Sequence, residues 1–181
     1  MKRSILYLLI TLLAGCVSSA SNIKIDEDKS LSTDEGYLLI GVESSSNLRS
    51  IRIEGPQKIN FTSKDIRRGT NYILTDLKAG SYTIDHVRMT ILGNLRVKKH
   101  LTDKENWGFD VVAGEINYVG HFEVVDKGYL GVNTTVELVN RSSESLEFLE
   151  TNFPVLISAR PIKYGGPGED EFFDFIGVSS K

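Results

Sequence analysis

From Gly36 onward, apolar residues recur mostly at every second position, the period of a strand with a buried face. Leu38, Ile40 and Val42 alternate with Tyr37, Leu39 and Gly41. Both phases of this run are apolar, which predicts a strand covered on both sides. Arg49-Ser50-Ile51-Arg52-Ile53 alternates cleanly and stops at Gly55-Pro56, a turn pair. Tyr72, Leu74 and Asp76 alternate with Ile73, Thr75 and Leu77 as far as Lys78-Ala79-Gly80, which reads as the turn of a hairpin. In the strand that follows, Tyr82 and Ile84 share one phase, whereas Val87, Met89 and Ile91 share the other. A period of two cannot keep both sets on one face, so a β-bulge or bend is expected at Asp85-His86.

Gly93-Asn94 reads as a turn, Arg96-Val97-Lys98-Lys99 as a short polar strand or loop, and residues 102–106 as a polar connection. Trp107, Phe109 and Val111 then alternate with Gly108, Asp110 and Val112. After Ala113-Gly114 comes the strongest strand, with Ile116, Tyr118, Gly120, Phe122 and Val124 on one phase and Asn117, Val119, His121, Glu123 and Val125 on the other. Asp126-Lys127-Gly128 turns it into a strand in which Leu130, Val132, Thr134, Val136 and Leu138 face one way and Tyr129, Asn133, Thr135 and Glu137 the other. About seven strands separated by glycine-bearing turns predict a mainly β chain, a single antiparallel β-sandwich over residues 36–162.

One short C-terminal helix interrupts the alternation. Ser142-Ser143 offers N-cap residues, Glu144 and Glu147 suit the positive end, Leu146, Leu149 and Phe153 form one apolar stripe, and Pro154 ends it. Such a helix would cap an open end of the sandwich. Val155, Leu156 and Ile157 predict a last edge strand, and residues 163–181 hold the Gly165-Gly166-Pro167-Gly168 stretch and an acidic, aromatic-rich tail. Phe172, Phe173, Phe175 and Ile176 are too apolar for a purely solvated end. They either dock on this domain's own sheet or contact a partner protein.

The first sixteen residues have another character: Lys2 and Arg3, an apolar run from Ile5 to Leu13, then Leu13-Ala14-Gly15-Cys16. The nine residues from Ile5 to Leu13 reach about 14 Å as a helix, whereas a bilayer span takes about twenty apolar residues. The segment therefore reads as a secretory signal. Its Leu-Ala-Gly-Cys step resembles the lipobox of bacterial lipoproteins, which implies cleavage of residues 1–15 and acylation of Cys16. By resemblance to sorted lipoproteins, Val17 in place of aspartate implies an outer-membrane destination facing the periplasm if the cell is Gram-negative. Residues 16–35, small and charged, then read as a flexible tether. Asp26 and Asp28 do not open an EF-type calcium loop, since its sixth and twelfth positions hold Leu31 and Tyr37.

The mature chain would carry 19 basic against 24 acidic residues, a net charge of -5. That balance, with no long basic run, argues against nucleic acid as a partner. Acylation would occupy the only cysteine, removing disulfides, thiolate metal sites and a cysteine nucleophile. No Gly-x-Ser-x-Gly elbow and no phosphate loop occur, and His86, His100 and His121 show no metal-ligand spacing, so no metal or cofactor is expected. His121, out of phase with Tyr118 and Phe122, is expected at the surface, and His86 is explained by its bulge. A site assembled in space from His86 or His121 with Asp85, Asp110 or Glu123 stays open.

Leu77-Lys78-Ala79-Gly80-Ser81-Tyr82-Thr83-Ile84 and Phe109-Asp110-Val111-Val112-Ala113-Gly114-Glu115-Ile116-Asn117-Tyr118-Val119-Gly120 resemble the turn-and-strand segments of prealbumin-like and carboxypeptidase-regulatory-like domains, found in small envelope lipoproteins. The resemblance covers residues 36 to 140 and implies an Ig-like or prealbumin-like sandwich with no catalytic residue to carry over. Together these features predict a non-catalytic, membrane-anchored envelope lipoprotein that binds or scaffolds another envelope protein. A binder of a small ligand or carbohydrate is the alternative, with Trp107, Tyr72, Tyr82, Tyr118 and Tyr129 as stacking candidates. A hydrolase with an unrecognised site is third.

Overall fold

Two five-stranded sheets packed face to face account for the alternation. The structure, a computed structural model, describes residues 22–66, 68–91, 95–126 and 133–178. Its strands are β1 (Glu35–Ser44), β2 (Asn47–Glu54), β3 (Ile59–Thr62), β4 (Gly69–Lys78), β5 (Gly80–Ile91), β6 (Leu95–His100), β7 (Gly108–Val111), β8 (Ile116–Asp126), β9 (Thr134–Val139) and β10 (Ile162–Tyr164). Four short helices join them: α1 (Lys104–Trp107), α2 (Ser142–Asn152), α3 (Pro154–Ala159) and α4 (Phe172–Phe175). The signal segment with Cys16, the Gly93-Asn94 and Lys127-Gly128 turn positions, and Tyr129, Leu130 and Val132 lie outside the described residues.

In the first sheet β4 pairs with β1 and β1 with β8. The far edge of β8 is shared end to end by β10, along Ile116–Tyr118, and β9, along His121–Asp126. The second sheet repeats the scheme, with β3 on β2, β2 on β5, and the far edge of β5 shared by β7 and β6. Between the sheets lies one core, in which Leu38, Ile40, Phe122 and Val119 meet Ile51, Ile53, Ile84 and Val87. The sandwich is not wholly antiparallel: β1–β8 and β8–β10 are parallel. The chain between β1 and β8 crosses to the second sheet and back twice, returning once as β4, and so long a connection leaves either direction open.

Lys78-Ala79-Gly80 does not turn a hairpin. β4 stays on β1, with Glu35 opposite Lys78, while β5 belongs to the other sheet. Gly80, at φ +137°, carries the chain across between the layers, a conformation open to glycine. The phase slip further along β5 is the expected bulge, since Arg52 pairs with His86 and Ile53 with Ile84, leaving Asp85 extra. A second bulge in β8 was not legible. Gly120 adopts φ +112° and the register on β1 slips between Leu39 and Gly41, so Tyr118 and His121 point to the same side. That corrects His121 from surface to core, with no exposed area.

The outer face of the first sheet carries a second core. Tyr37, Leu39, Leu74, Ile116 and Tyr118 are covered by Leu149, Phe153, Leu156 and Phe173. The predicted helix is α2, with Leu149 and Phe153 buried and Leu146 packed beside them, but it lies on this sheet face rather than over an open end. Val155–Ile157 form helix α3 instead of an edge strand. Pro154 at the first helical turn starts it, because proline lacks only a donor that the turn would leave unpaired. The glycine stretch is also built in: Gly165 N–H bonds Tyr118 C=O (2.9 Å) and Gly165 C=O accepts from Asp110 N–H (2.8 Å), joining the two sheets.

Of the tether expected over residues 16–35, the described part, from Asn22, is held against the domain. From Asn22 the chain is docked: Asn22 brackets the β4 backbone through Tyr72 C=O (3.4 Å) and Leu74 N–H (3.1 Å), and Ile23 N–H bonds Leu74 C=O (2.7 Å). Asp26 accepts the first amides of α3, Val155 N–H (2.8 Å) and Leu156 N–H (3.0 Å). Asp28 holds Arg160 through two contacts of 2.8 and 3.0 Å. The two aspartates that suggest a calcium loop are thus helix cap and ion-pair partner.

Candidate functional site

The split edge of β8 leaves β9 at a border of the first sheet, where among the described residues it pairs with β8 alone. Val124 C=O of β8 accepts from Ser45 N–H (3.0 Å) on the β1 side. Hydrogen bonding alternates along a strand, so Val136, opposite Val124, and Leu138, opposite Phe122, turn their N–H and C=O away from β8. Their side chains face the core, Val136 buried and Leu138 packed against it. An open groove of about 680 Å³ runs beside this edge, lined by Val136–Val139 on one wall and Asp103, Glu105, Asn106 and Trp107 on the other, with Pro167 and Gly168 beside them. Trp107 is partly buried and leans on Phe122, ring centroids 5.9 Å apart. Its wall is held by Asp103, which caps α1 by accepting from Glu105 N–H (3.0 Å). Acidic Asp103, Glu105 and Glu137 are among the residues that line the groove, and none of the described lining residues is cationic.

Of the other stacking candidates, Tyr72, Tyr82 and Tyr118 are structural, and Tyr129 lies outside the described residues. Tyr82 is buried, stacks on Phe109 at 5.5 Å and donates to Lys78 C=O (2.7 Å). Tyr72 stacks on Phe148 at 4.1 Å and meets the His121 ring edge-on at 4.9 Å. Burial pushes both phenols up to about 12. Tyr118 is fully buried, accepts from Arg141 N–H (3.0 Å) and lies 2.7 Å from His121 Nδ1. The Tyr118 hydroxyl and His121 Nδ1 share one hydrogen bond, whose direction follows the imidazole tautomer. Nε2 is buried without a partner, against Gly41, where a Cβ would overlap the ring. Burial first, and then the Arg141 charge, push His121 down to about 4. It is a neutral core group rather than a base.

Of the tail residues, Phe173 is buried against Tyr118 (6.2 Å, edge-on) and Phe172 is half-buried, so the tail docks on its own domain. Phe175 is 90% exposed and Ile176 38%. Asp170 fixes this arrangement against Asn140 Nδ2 (2.8 Å) and the Ser142 hydroxyl (2.5 Å). Burial works against its charge, yet these two bonds and the Phe172 N–H hold its carboxyl below the usual range. Asp110 bonds Ser81 (2.6 Å), and Glu123 pairs with Arg141 (2.5 Å), which also reaches Glu43 (3.2 Å) and Glu144 (3.4 Å).

Asp85 and His86 do meet, at 2.6 Å, and β6 adds His100 opposite His86. One donor atom from each lies within 4.8 Å of the others. Sequence spacing misses this trio because His86 and His100 sit on different strands. Hairpin arithmetic across Ile91 and Leu95 would have paired them. Arg52 stands in register beside His86, and Lys98 acts with both histidines on Asp85. Those charges oppose a divalent ion and favour reading Asp85 as the counter-charge that completes a bulge.

No family model matches the chain, and a search of curated proteins found no similar sequence. Among the described residues, no helix is long and apolar enough to cross a membrane.

Proposed function

We propose that the chain is a non-catalytic lipoprotein, anchored through Cys16 in the cell envelope, whose domain works by holding another envelope protein. The observation that carries this reading is the open β9 edge. Outward N–H and C=O groups at Val136 and Leu138 border a groove, the form in which an added peptide strand is bound. Edges left open in this way are otherwise a hazard that folds cover or blunt. In a Gram-negative cell the destination is the outer membrane, with the domain in the periplasm. Trp107 in the groove wall also favours the second reading, a small ligand or carbohydrate stacked on its ring.

Crosslinking in intact cells followed by purification tests the proposal. Leu138→Pro removes the outward donor of β9 while leaving the β8 ladder, which runs through Glu137 and Val139. Glu105→Arg alters the opposite, exposed wall without touching the core. Loss of captured protein in both variants is expected. Unchanged capture in both overturns the strand-addition reading, and loss with Phe175→Ala alone moves the contact to the tail. Saccharide binding that is abolished by Trp107→Ala, with no protein captured, would establish the second reading instead.

A further inference from the structure

Among the described residues no second apolar layer covers the outer face of the second sheet, and exposed cations gather on it. Arg88 pairs across strands with Lys98 and Thr90 with Arg96, while Arg49 reaches Thr90 Oγ1 (3.5 Å). All four cations are exposed, and Ile51, Val87, Met89 and Val97 on the alternate phase face the core. Of the described carboxylates on this face, Glu54 holds Arg52 (2.7 Å) and Lys58 (3.6 Å), Asp85 holds His86, and Asp110, at the β7 end, accepts from Ser81 (2.6 Å). No ion pair among the described residues engages Arg49, Arg88, Arg96 or Lys98. On the opposite side Arg141, Arg160 and Lys163 are each paired with a carboxylate.

We infer that this sheet face lies against an anionic phospholipid surface, with Arg49, Arg88, Arg96 and Lys98 taking headgroup phosphates. A flat lattice of side chains fits a planar, mobile array of charges better than it fits a single ligand. The geometry of the anchor permits it. Only five residues lie between Cys16 and the docked Asn22, a reach of at most about 20 Å over the six steps. Packed sheets stand about 10 Å apart, so Asn22 at the β4 edge is near enough for the second sheet to rest on the membrane that holds Cys16. This orientation rests on the anchor reading, whereas the affinity of the face for anionic lipid does not. Each cation near such a surface adds roughly fivefold to partitioning.

The test uses residues 16–181 with Cys16→Ser, so no acyl chain contributes, and sedimentation with vesicles of phosphatidylcholine alone or with phosphatidylglycerol added. Binding is expected only to the second kind, to fall at high salt, and to weaken on the order of thirtyfold in Arg88→Gln/Lys98→Gln. Both positions are exposed, so the fold is kept. Equal binding to both vesicles, no binding, or a double variant that binds unchanged overturns the inference. So does inorganic phosphate displacing the protein more strongly than chloride at matched ionic strength, which would mark a discrete phosphate site. Failure here leaves the anchor untouched; that fails separately if Cys16→Ser stays firmly in the membrane fraction of cells.

Discussion

The two sheets of this sandwich share an architecture and differ in what lies outside them. The first is roofed by α2, α3, α4 and the strap from Asn22, and its outer phase is apolar, with Tyr37, Leu39, Leu74, Ile116 and Tyr118 all buried. The second has no such roof among the described residues, and its outer phase carries Arg52, Arg88, Arg96 and Lys98. Each sheet's inner phase feeds the same core. The second phase of a strand therefore decides whether another layer can be added. An apolar second phase must be covered, because burying it contributes about 25 cal/mol per Å² removed from water. A charged second phase must stay open and is left available for solvent or an anionic surface.

The largest expected effect tests that contrast directly. Leu149 has no exposed area and sits in the outer core. Leu149→Ala should cost about 2–5 kcal/mol, the range for a buried leucine truncated to leave a cavity. Arg88→Ala, on the bare sheet, should stay within about 0.5 kcal/mol. Urea unfolding of both variants checks the pair. A small loss for Leu149→Ala would mean that α2 is an accessory, and that the first sheet does not need its roof.

His121 belongs to the same covered face and gives it a pH dependence. An unfolded histidine binds its proton near 6.5, while the folded imidazole, buried among Tyr118, Tyr72 and Gly41 and facing Arg141, binds it only near 4. Between those values the unfolded chain holds more protons, so stability falls as the pH falls, by roughly 3 kcal/mol in all. The loss is complete only below about 4 and absent above about 6.5. Denaturant midpoints for wild type and His121→Gln across pH 7 to 5 should diverge in slope, the variant being flatter. An imidazole NMR titration of His121 centred near 6.5 would contradict its placement.

Much of the layering was legible because β1 reads apolar on both phases and β2 on one, and that difference maps onto covered and bare faces. The β5 bulge was legible too, since Tyr82 and Ile84 fall out of phase with Val87 and Met89. The β8 bulge was not, because Gly120 is compatible with either phase and the residues after it, Phe122 and Val124, continue the pattern before it. The error at Lys78-Ala79-Gly80 has a similar source. A turn signal marks where the chain reverses, while the identity of β4's partner, β1, depends on contacts some forty residues away in sequence. For the groove, Trp107 and the β9 alternation were readable. Their meeting was not, since it depends on β9 and β10 dividing one edge of β8. The cationic face escaped notice because its residues stand singly along β2, β5 and β6 and gather only when the strands align.

The smallest effect concerns whether the strap is part of the roof or merely passes over it. Phe153, at the N-cap of α3, makes no side-chain cap bond, so the first amides of that helix depend on Asp26, more than a hundred residues earlier in the chain. A carboxylate there both satisfies two donors and meets the positive end of the helix. Asp26→Ala should therefore cost about 1 kcal/mol, the usual loss for a removed cap. Glu27→Ala, at an exposed side chain one residue along, should stay within about 0.5 kcal/mol. Limited proteolysis separates the outcomes further, because freeing Asp26 leaves no side-chain hold between Ile23 and Asp28 and should speed cleavage between them. If Asp26→Ala and Glu27→Ala behave alike in both measurements, the strap is a passenger.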